Sequence, residues 1–330
     1  PGGTQLLADI VPGGFGFLLR SQLVLGGQLL FTGFDSTRGP SLWRTDGRPQ
    51  NTVLVRSWGP TVVRSLNGLA PMGARAAFLS SGPGGFFEVW RTDGTTGGTA
   101  RIASLGPGPA FGGVIGGPGG RYLFSRFTQV GGSELWATDG TAKGTRQITF
   151  FKPSSPFGGG PFVRLGNRLV FAATSNERAP YSLWATDGTP KGTKPFANIC
   201  THFFCGVGVL GVVNGRVLVS VDDGGTGDAE LTATDGTRQG TVRLPDICPG
   251  ACGSHPRLLA VVGQRALILG FPNLKGELWT TNGTVAGTSL LRRFERAGTT
   301  TPDIAHALVG GRVYFTAAEG PEDLEPWRTA

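Results

Sequence analysis

The chain has 330 residues, 39% of them hydrophobic, and a formal net charge of +8. The apolar fraction excludes an intrinsically disordered chain in spite of 57 glycines and 23 prolines, because disorder goes with low hydrophobicity. The cations are scattered without a block of like charge, which describes a basic surface and argues against a nucleic-acid interface; no apolar stretch reaches the ~18 residues of a membrane span.

Along the chain, strand-sized runs come in groups of four. The first group is Ser21 to Leu25, closed by Gly26-Gly27, then Gln28 to Gly33, Ser41 to Thr45, closed by Asp46-Gly47, and Thr52 to Ser57. Gly-Gly and Asp-Gly supply the positive φ of tight hairpins, so each group predicts a four-stranded antiparallel meander. The third run repeats along the chain: Leu42-Trp43-Arg44-Thr45-Asp46-Gly47, Val89-Trp90-Arg91-Thr92-Asp93-Gly94, Leu135-Trp136 to Gly140 and Leu183-Trp184 to Gly188. In a fifth copy Thr232 replaces the Trp. The sixth is Leu278-Trp279 to Gly283, and the seventh ends the sequence at Trp327 to Ala330. Anchors at 43, 90, 136, 184, 232, 279 and 327 are spaced by 47, 46, 48, 48, 47 and 48 residues.

Four strands per repeat of this length predict an all-β fold, a seven-bladed β-propeller forming one domain over 1–330. The segment Gly3-Thr4-Gln5-Leu6-Leu7-Ala8-Asp9-Ile10 matches the residues after Asp-Gly in other copies, such as Gly240 to Ile247. Residues 1–12 are therefore expected to supply the outermost strand of the seventh blade and close the ring, removing its exposed sheet edges. Pro1-Gly2-Gly3-Thr4 is not a signal peptide, so export would mean that a targeting segment has been cut away.

The in-phase pattern Glu134-Leu135-Trp136-Ala137-Thr138-Asp139-Gly140-Thr141 with Gly144-Thr145, and Asp246-Ile247-Cys248-Pro249-Gly250 in a later copy, resembles the bacterial ELWxxDGT repeat family. Departures are Thr232 for Trp, Asn282 for Asp and the degenerate 48–52 segment. The resemblance implies an exported or cell-surface protein, whether periplasmic, on the outer surface or extracellular.

Repeated residues are read first as structure. The Trp series predicts apolar plugs between neighbouring blades. In the Asp-Gly-Thr turns, the carboxylate accepts backbone N–H bonds and the Thr hydroxyl holds the turn. Function is expected where the copies differ, on the loop face near the mouth of the channel. Asp222, Asp223 and Asp228 form one oxygen-rich loop, read either as a calcium site or as a solvated acidic turn. Phe15, Phe17, Trp58, Phe111, Phe157, Phe203 and Phe204 sit in the connections between blades. Such rings either stack on a ligand or plug gaps.

Cys200 and Cys248 occupy equivalent positions, each with a near partner. The spacing favours Cys200–Cys205 and Cys248–Cys252 disulfides, and hence an oxidising compartment, over a zinc site. His202 and His255 fall in the same connections and, with His306, are the only histidines. No nucleophile elbow, zinc-protease motif or phosphate loop accompanies them, so no catalytic residue is assigned. The expected function is a non-catalytic exported propeller binding a glycan, surface polymer or protein through its variable loops, with His202 and His255 among the contacts. A structural subunit of a surface assembly and a polysaccharide-active enzyme are the alternatives.

Overall fold

A computed structural model describes residues 3–4, 6–12, 16–61, 65–82, 86–107, 111–127, 132–151, 162–174, 179–202, 205–223, 229–249, 253–272, 275–294, 306–318 and 324–329. They form seven antiparallel sheets, each a meander in sequence order. The sheets occupy 18–57, 65–107, 111–151, 163–198, 205–243, 257–294 and 306–328. Six have four strands and the seventh has three. The expectation of four strands in every repeat thus holds for six, and the described part of 3–12 carries no strand. Instead, the carbonyl of Ile10 accepts a bond from the Arg38 guanidinium (2.9 Å), which ties this segment to the first sheet.

The chain divides into two compact units, residues 1–150 with 187–190, and residues 151–186 with 191–330. In the first unit, sheets one and two share a core of Leu30, Leu42, Trp58, Leu66, Phe78 and Trp90. Sheets two and three share Met72, Leu79, Val89, Tyr122 and Phe124. In the second unit, clusters of the same kind join sheets four and five, five and six, and six and seven. Second strands are therefore covered on both faces, which is why Arg168–Ala173 and Arg265–Gly270 read as continuous apolar runs after their first residue.

The hairpins follow their glycines. Gly26 and Gly27 have φ of 57° and 76°, and Asn214 and Gly215 have 46° and 71°, as a two-residue primed turn requires. The Asp-Gly-Thr turns are more elaborate. Asp139 Oδ1 accepts both the Thr141 N–H (2.9 Å) and its hydroxyl (2.7 Å), while the Gly144 N–H donates to Thr141 Oγ1 at 2.9 Å. A Cβ on Gly144 would lie 2.0 Å from that carboxylate, so the second glycine of the repeat makes room for the Asp. Each turn is closed below by a pair of threonine hydroxyls, as in Thr138 with Thr145 at 2.7 Å. Asn282 fills the Asp role in sheet six with the same contacts to Thr284.

Candidate functional site

The place to look for a site is set by what surrounds each Trp. Trp43, Trp90, Trp136 and Trp184 lie nearly parallel to Phe31, Phe78, Phe124 and Phe171 of their own second strands, at 6.4, 6.3, 6.2 and 6.4 Å between centroids. A second ring, fifteen positions after the preceding Trp anchor in sequence, meets several of them edge-on. Trp58 approaches Trp90 at 5.1 Å, Phe151 approaches Trp184 at 5.1 Å, and Phe294 approaches Trp327 at 5.3 Å. The Glu two residues before the Trp lies on the same strand face and accepts its indole N–H: Glu88 at 3.1 Å, Glu134 at 2.9 Å and Glu277 at 2.9 Å. The tryptophans are packing residues: Trp43, Trp90 and Trp184 are each held by two rings, Trp136 by a ring and a carboxylate, Trp279 by a carboxylate and Trp327 by a ring.

All three aromatic positions are vacated in the fifth sheet. Thr232 stands for the Trp, its cross-strand partner is Val219 where five other sheets place Phe and the sixth places Ile268, and Ile199 follows Trp184 by the same fifteen positions. There the structure holds a cavity of about 270 Å³, walled by Ile199, Val221 and Asn198 and by Thr232, Thr241, Arg243 and Glu230. Glu230 is 1% exposed and Thr232 is buried. Glu230 Oε2 accepts the backbone N–H of Ile247 at 3.0 Å, which fixes the carboxylate. Arg243 pairs with Thr232 across the sheet. The Thr241 hydroxyl is committed to the turn, donating to the Thr237 carbonyl at 2.6 Å. The lining is thus more polar than apolar: the buried Glu230 carboxylate, the exposed Arg243, Asn198 and the Thr232 hydroxyl, with Ile199 and Val221 as aliphatic walls.

The loss of Trp at 232 is legible in the sequence, but not as an opening. The signal was present in the paired changes at 199 and 219, which become visible only when register puts the three positions together.

Among the described residues, those singled out from sequence are not brought together into a site. Of the two readings of Trp58, stacking on a ligand or plugging a gap, the second fits: it is 9% exposed and lies edge-on to Phe78 and Trp90. Phe17 likewise meets Phe31 at 6.0 Å and Trp43 at 6.3 Å. Phe111 begins a strand, and its side chain lies outside the described set. Phe15, Phe157, Phe203, Phe204 and Asp228 lie outside the described residues. Asp222 and Asp223 end the second strand of sheet five. Among the described residues no cluster of three His, Cys, Asp or Glu is placed to hold a metal ion. His202 is exposed with Nδ1 at 2.8 Å from the Thr201 hydroxyl, and His255 is exposed with φ of 41°.

Cys200 and Cys205 form a disulfide with Cα atoms 6.0 Å apart. Both lie in the core shared by sheets four and five. Cys248 is also disulfide-bonded; its expected partner, Cys252, lies outside the described residues. Among the described residues no helix is long and apolar enough to cross a membrane. These features are compatible with export.

No protein-family model matches the chain, and no curated protein matches it. Among solved structures it is similar to prolyl oligopeptidase B from Galerina marginata, with a TM-score of 0.55 and 13% identity over 92% of this chain and 48% of that one. A structure from a study of two prolyl endopeptidases, concerned with inter-domain dynamics in catalysis and specificity, gives a TM-score of 0.53 and 13% identity over 94% and 50%. The β-propeller domain of the Trilobed protease from Pyrococcus furiosus gives a TM-score of 0.45 and 13% identity over 94% and 95%. The seven sheets and the likeness to the prolyl oligopeptidases define the class, an all-β protein of propeller-like sheets. The chain spans about half the length of the prolyl oligopeptidases it resembles. The expectation of a surface module for glycan, polymer or protein, of an assembly subunit or of a polysaccharide-active enzyme is corrected by this finding, because the similar chains are peptidases.

Proposed function

We propose that the chain is the propeller part of an exported peptidase, selecting the peptides that reach a hydrolase domain carried on the same or a partner polypeptide. In this reading the seven sheets are the blades of one ring, with residues 1–12 joining the seventh. The observation that carries it is the likeness of more than nine-tenths of this chain to about half of each prolyl oligopeptidase. The sheet-to-sheet cores within each unit and the in-phase repeat agree with a ring. The Cys200–Cys205 bridge agrees with an oxidising compartment.

The reading is tested by recovering the protein with its natural partners under native conditions and assaying hydrolysis of fluorogenic prolyl peptides. Activity that co-migrates with this chain, and binding of labelled proline-containing peptides to the chain itself, are expected. A preparation in which the chain is pure, binds no peptide and accompanies no peptidase would refute it. Ring closure is checked separately with spin labels at Thr4 and Glu325, which should broaden one another as only labels within about 20 Å do.

A further inference from the structure

We propose that the cavity of the fifth sheet is a binding site for an indole ring, supplied by a tryptophan side chain of a peptide. The peptide as source rests on the function proposed above; the indole specificity does not. In three other sheets an indole N–H lies 2.9 to 3.1 Å from the Glu two positions before the Trp. Sheet five keeps that glutamate as Glu230, fixes it on the Ile247 N–H, and carries Thr232 where the ring would be.

Size and charge agree with this occupant. A ~150 Å³ cavity holds benzene, so about 270 Å³ admits a bicyclic ring. Ile199 and Val221 provide apolar walls, whereas Glu230 and Arg243 provide opposite charges. An anionic ligand would face Glu230 and a cationic one Arg243. A neutral ring with an N–H satisfies both, giving its proton to the carboxylate and its π face to the guanidinium. Guanidinium-over-indole contacts occur elsewhere in the protein, with Arg56 4.7 Å over Trp90 and Arg292 4.3 Å over Trp327, although from a different strand position than that of Arg243, whose counterpart Arg101 pairs with Glu88 at 2.6 Å.

The test is titration of the whole protein with 3-methylindole, the side chain of tryptophan, followed by calorimetry and by shifts of the Thr232 and Ile199 methyl resonances. Saturable binding at this cavity is expected, at least tenfold weaker for 1,3-dimethylindole, which lacks the N–H, and tenfold weaker in Glu230→Gln. Thr232→Trp, which places an indole in the cavity covalently, should fold and lose binding. Absence of binding to the unaltered protein, equal binding of the N-methylated ring, binding that survives in a folded Thr232→Trp variant, or preference for agmatine or acetate would each overturn the proposal. If 3-methylindole binds but tryptophan-containing peptides do not compete, the indole site stands and the peptide source fails with the peptidase reading. If such peptides bind equally to Thr232→Trp, the site fails and that reading survives.

Discussion

Replacing one tryptophan by phenylalanine at two touching positions should have very unequal effects on stability. Trp58 and Trp90 meet edge-on at 5.1 Å, and both are buried, at 9% and 6% exposure. Arg56 lies over each ring, so losses of that contact nearly cancel in the comparison. They differ at the indole nitrogen. Trp90 Nε1 donates to Ser80 Oγ and to Glu88 Oε2, each at 3.1 Å, whereas Trp58 Nε1 is buried with no hydrogen-bond partner among the described residues.

Shrinking indole to phenyl removes about two carbons' worth of burial, on the order of 1.5 kcal/mol at ~0.8 kcal/mol per CH₂. For Trp58→Phe this is offset by relief of an unsatisfied buried N–H, worth about 1–3 kcal/mol, so the net change should lie within about 1 kcal/mol of zero. Phe151 and Phe294 already fill the same role in other sheets. For Trp90→Phe the loss adds to a hydrogen bond to a carboxylate, about 1.5–3 kcal/mol, giving a total of about 3–4.5 kcal/mol. Urea unfolding of both variants, followed by far-ultraviolet circular dichroism, measures the difference. A Trp58→Phe cost equal to or larger than that of Trp90→Phe would refute the assignment of these nitrogens.

Three further outcomes follow from the turns and the bridge. Gly97→Ala should be neutral or stabilising by up to about 1 kcal/mol, because nothing lies within 4 Å of the added carbon; Gly98→Ala should cost about 1–2 kcal/mol, because its carbon would sit 2.0 Å from the Asp93 carboxylate, and thermal melts of the pair decide. The Thr141 hydroxyl holds Asp139 below the usual carboxylate range, as Thr95 and Thr237 do for Asp93 and Asp235. A depressed folded-state pKa stabilises fully above the unfolded value of about 3.9 and is lost as pH falls through the lower folded value, so Asp139→Asn should flatten the melting temperature below about pH 4 while leaving Thr141 its acceptor, as Asn282 does for Thr284. Cys200→Ala with Cys205→Ala opens a loop of sequence separation 5, and chain entropy assigns this about 2 kcal/mol, readable in the same urea curves; no loss at all would mean that the bridge constrains nothing in the unfolded chain.

How far the fold could be read from sequence depends on what each residue answers to. Gly26-Gly27, Asn214-Gly215 and the Asp-Gly turns were legible because positive φ is a local demand. The packing role of the Trp series was legible because a large ring recurring in phase must be buried in phase. The partners of that ring were not. Nothing local tells Glu134 that it receives an indole proton, or Thr138 that its hydroxyl meets Thr145, since both depend on strand faces and register. Trp58 stayed between two readings for the same reason: its segment reads as a connection, and only the fold shows the residue reaching into the core shared by sheets one and two.

The fifth sheet shows what a repeat can reveal once its geometry is known. A single Trp→Thr departure in an isolated fold would be a weakened core and nothing more. Here the other sheets supply the reference: they show which ring is absent and which carboxylate it would touch. Thr232, Val219 and Ile199 lie in different strands or loops, and only the shared register makes their reductions coincide. A sheet that had merely drifted would be expected to close over the gap with apolar side chains. This one retains Glu230 at 1% exposure and Arg243 beside the space. Polar groups kept where the other sheets place an indole are the pattern expected of a site whose ring arrives from another molecule.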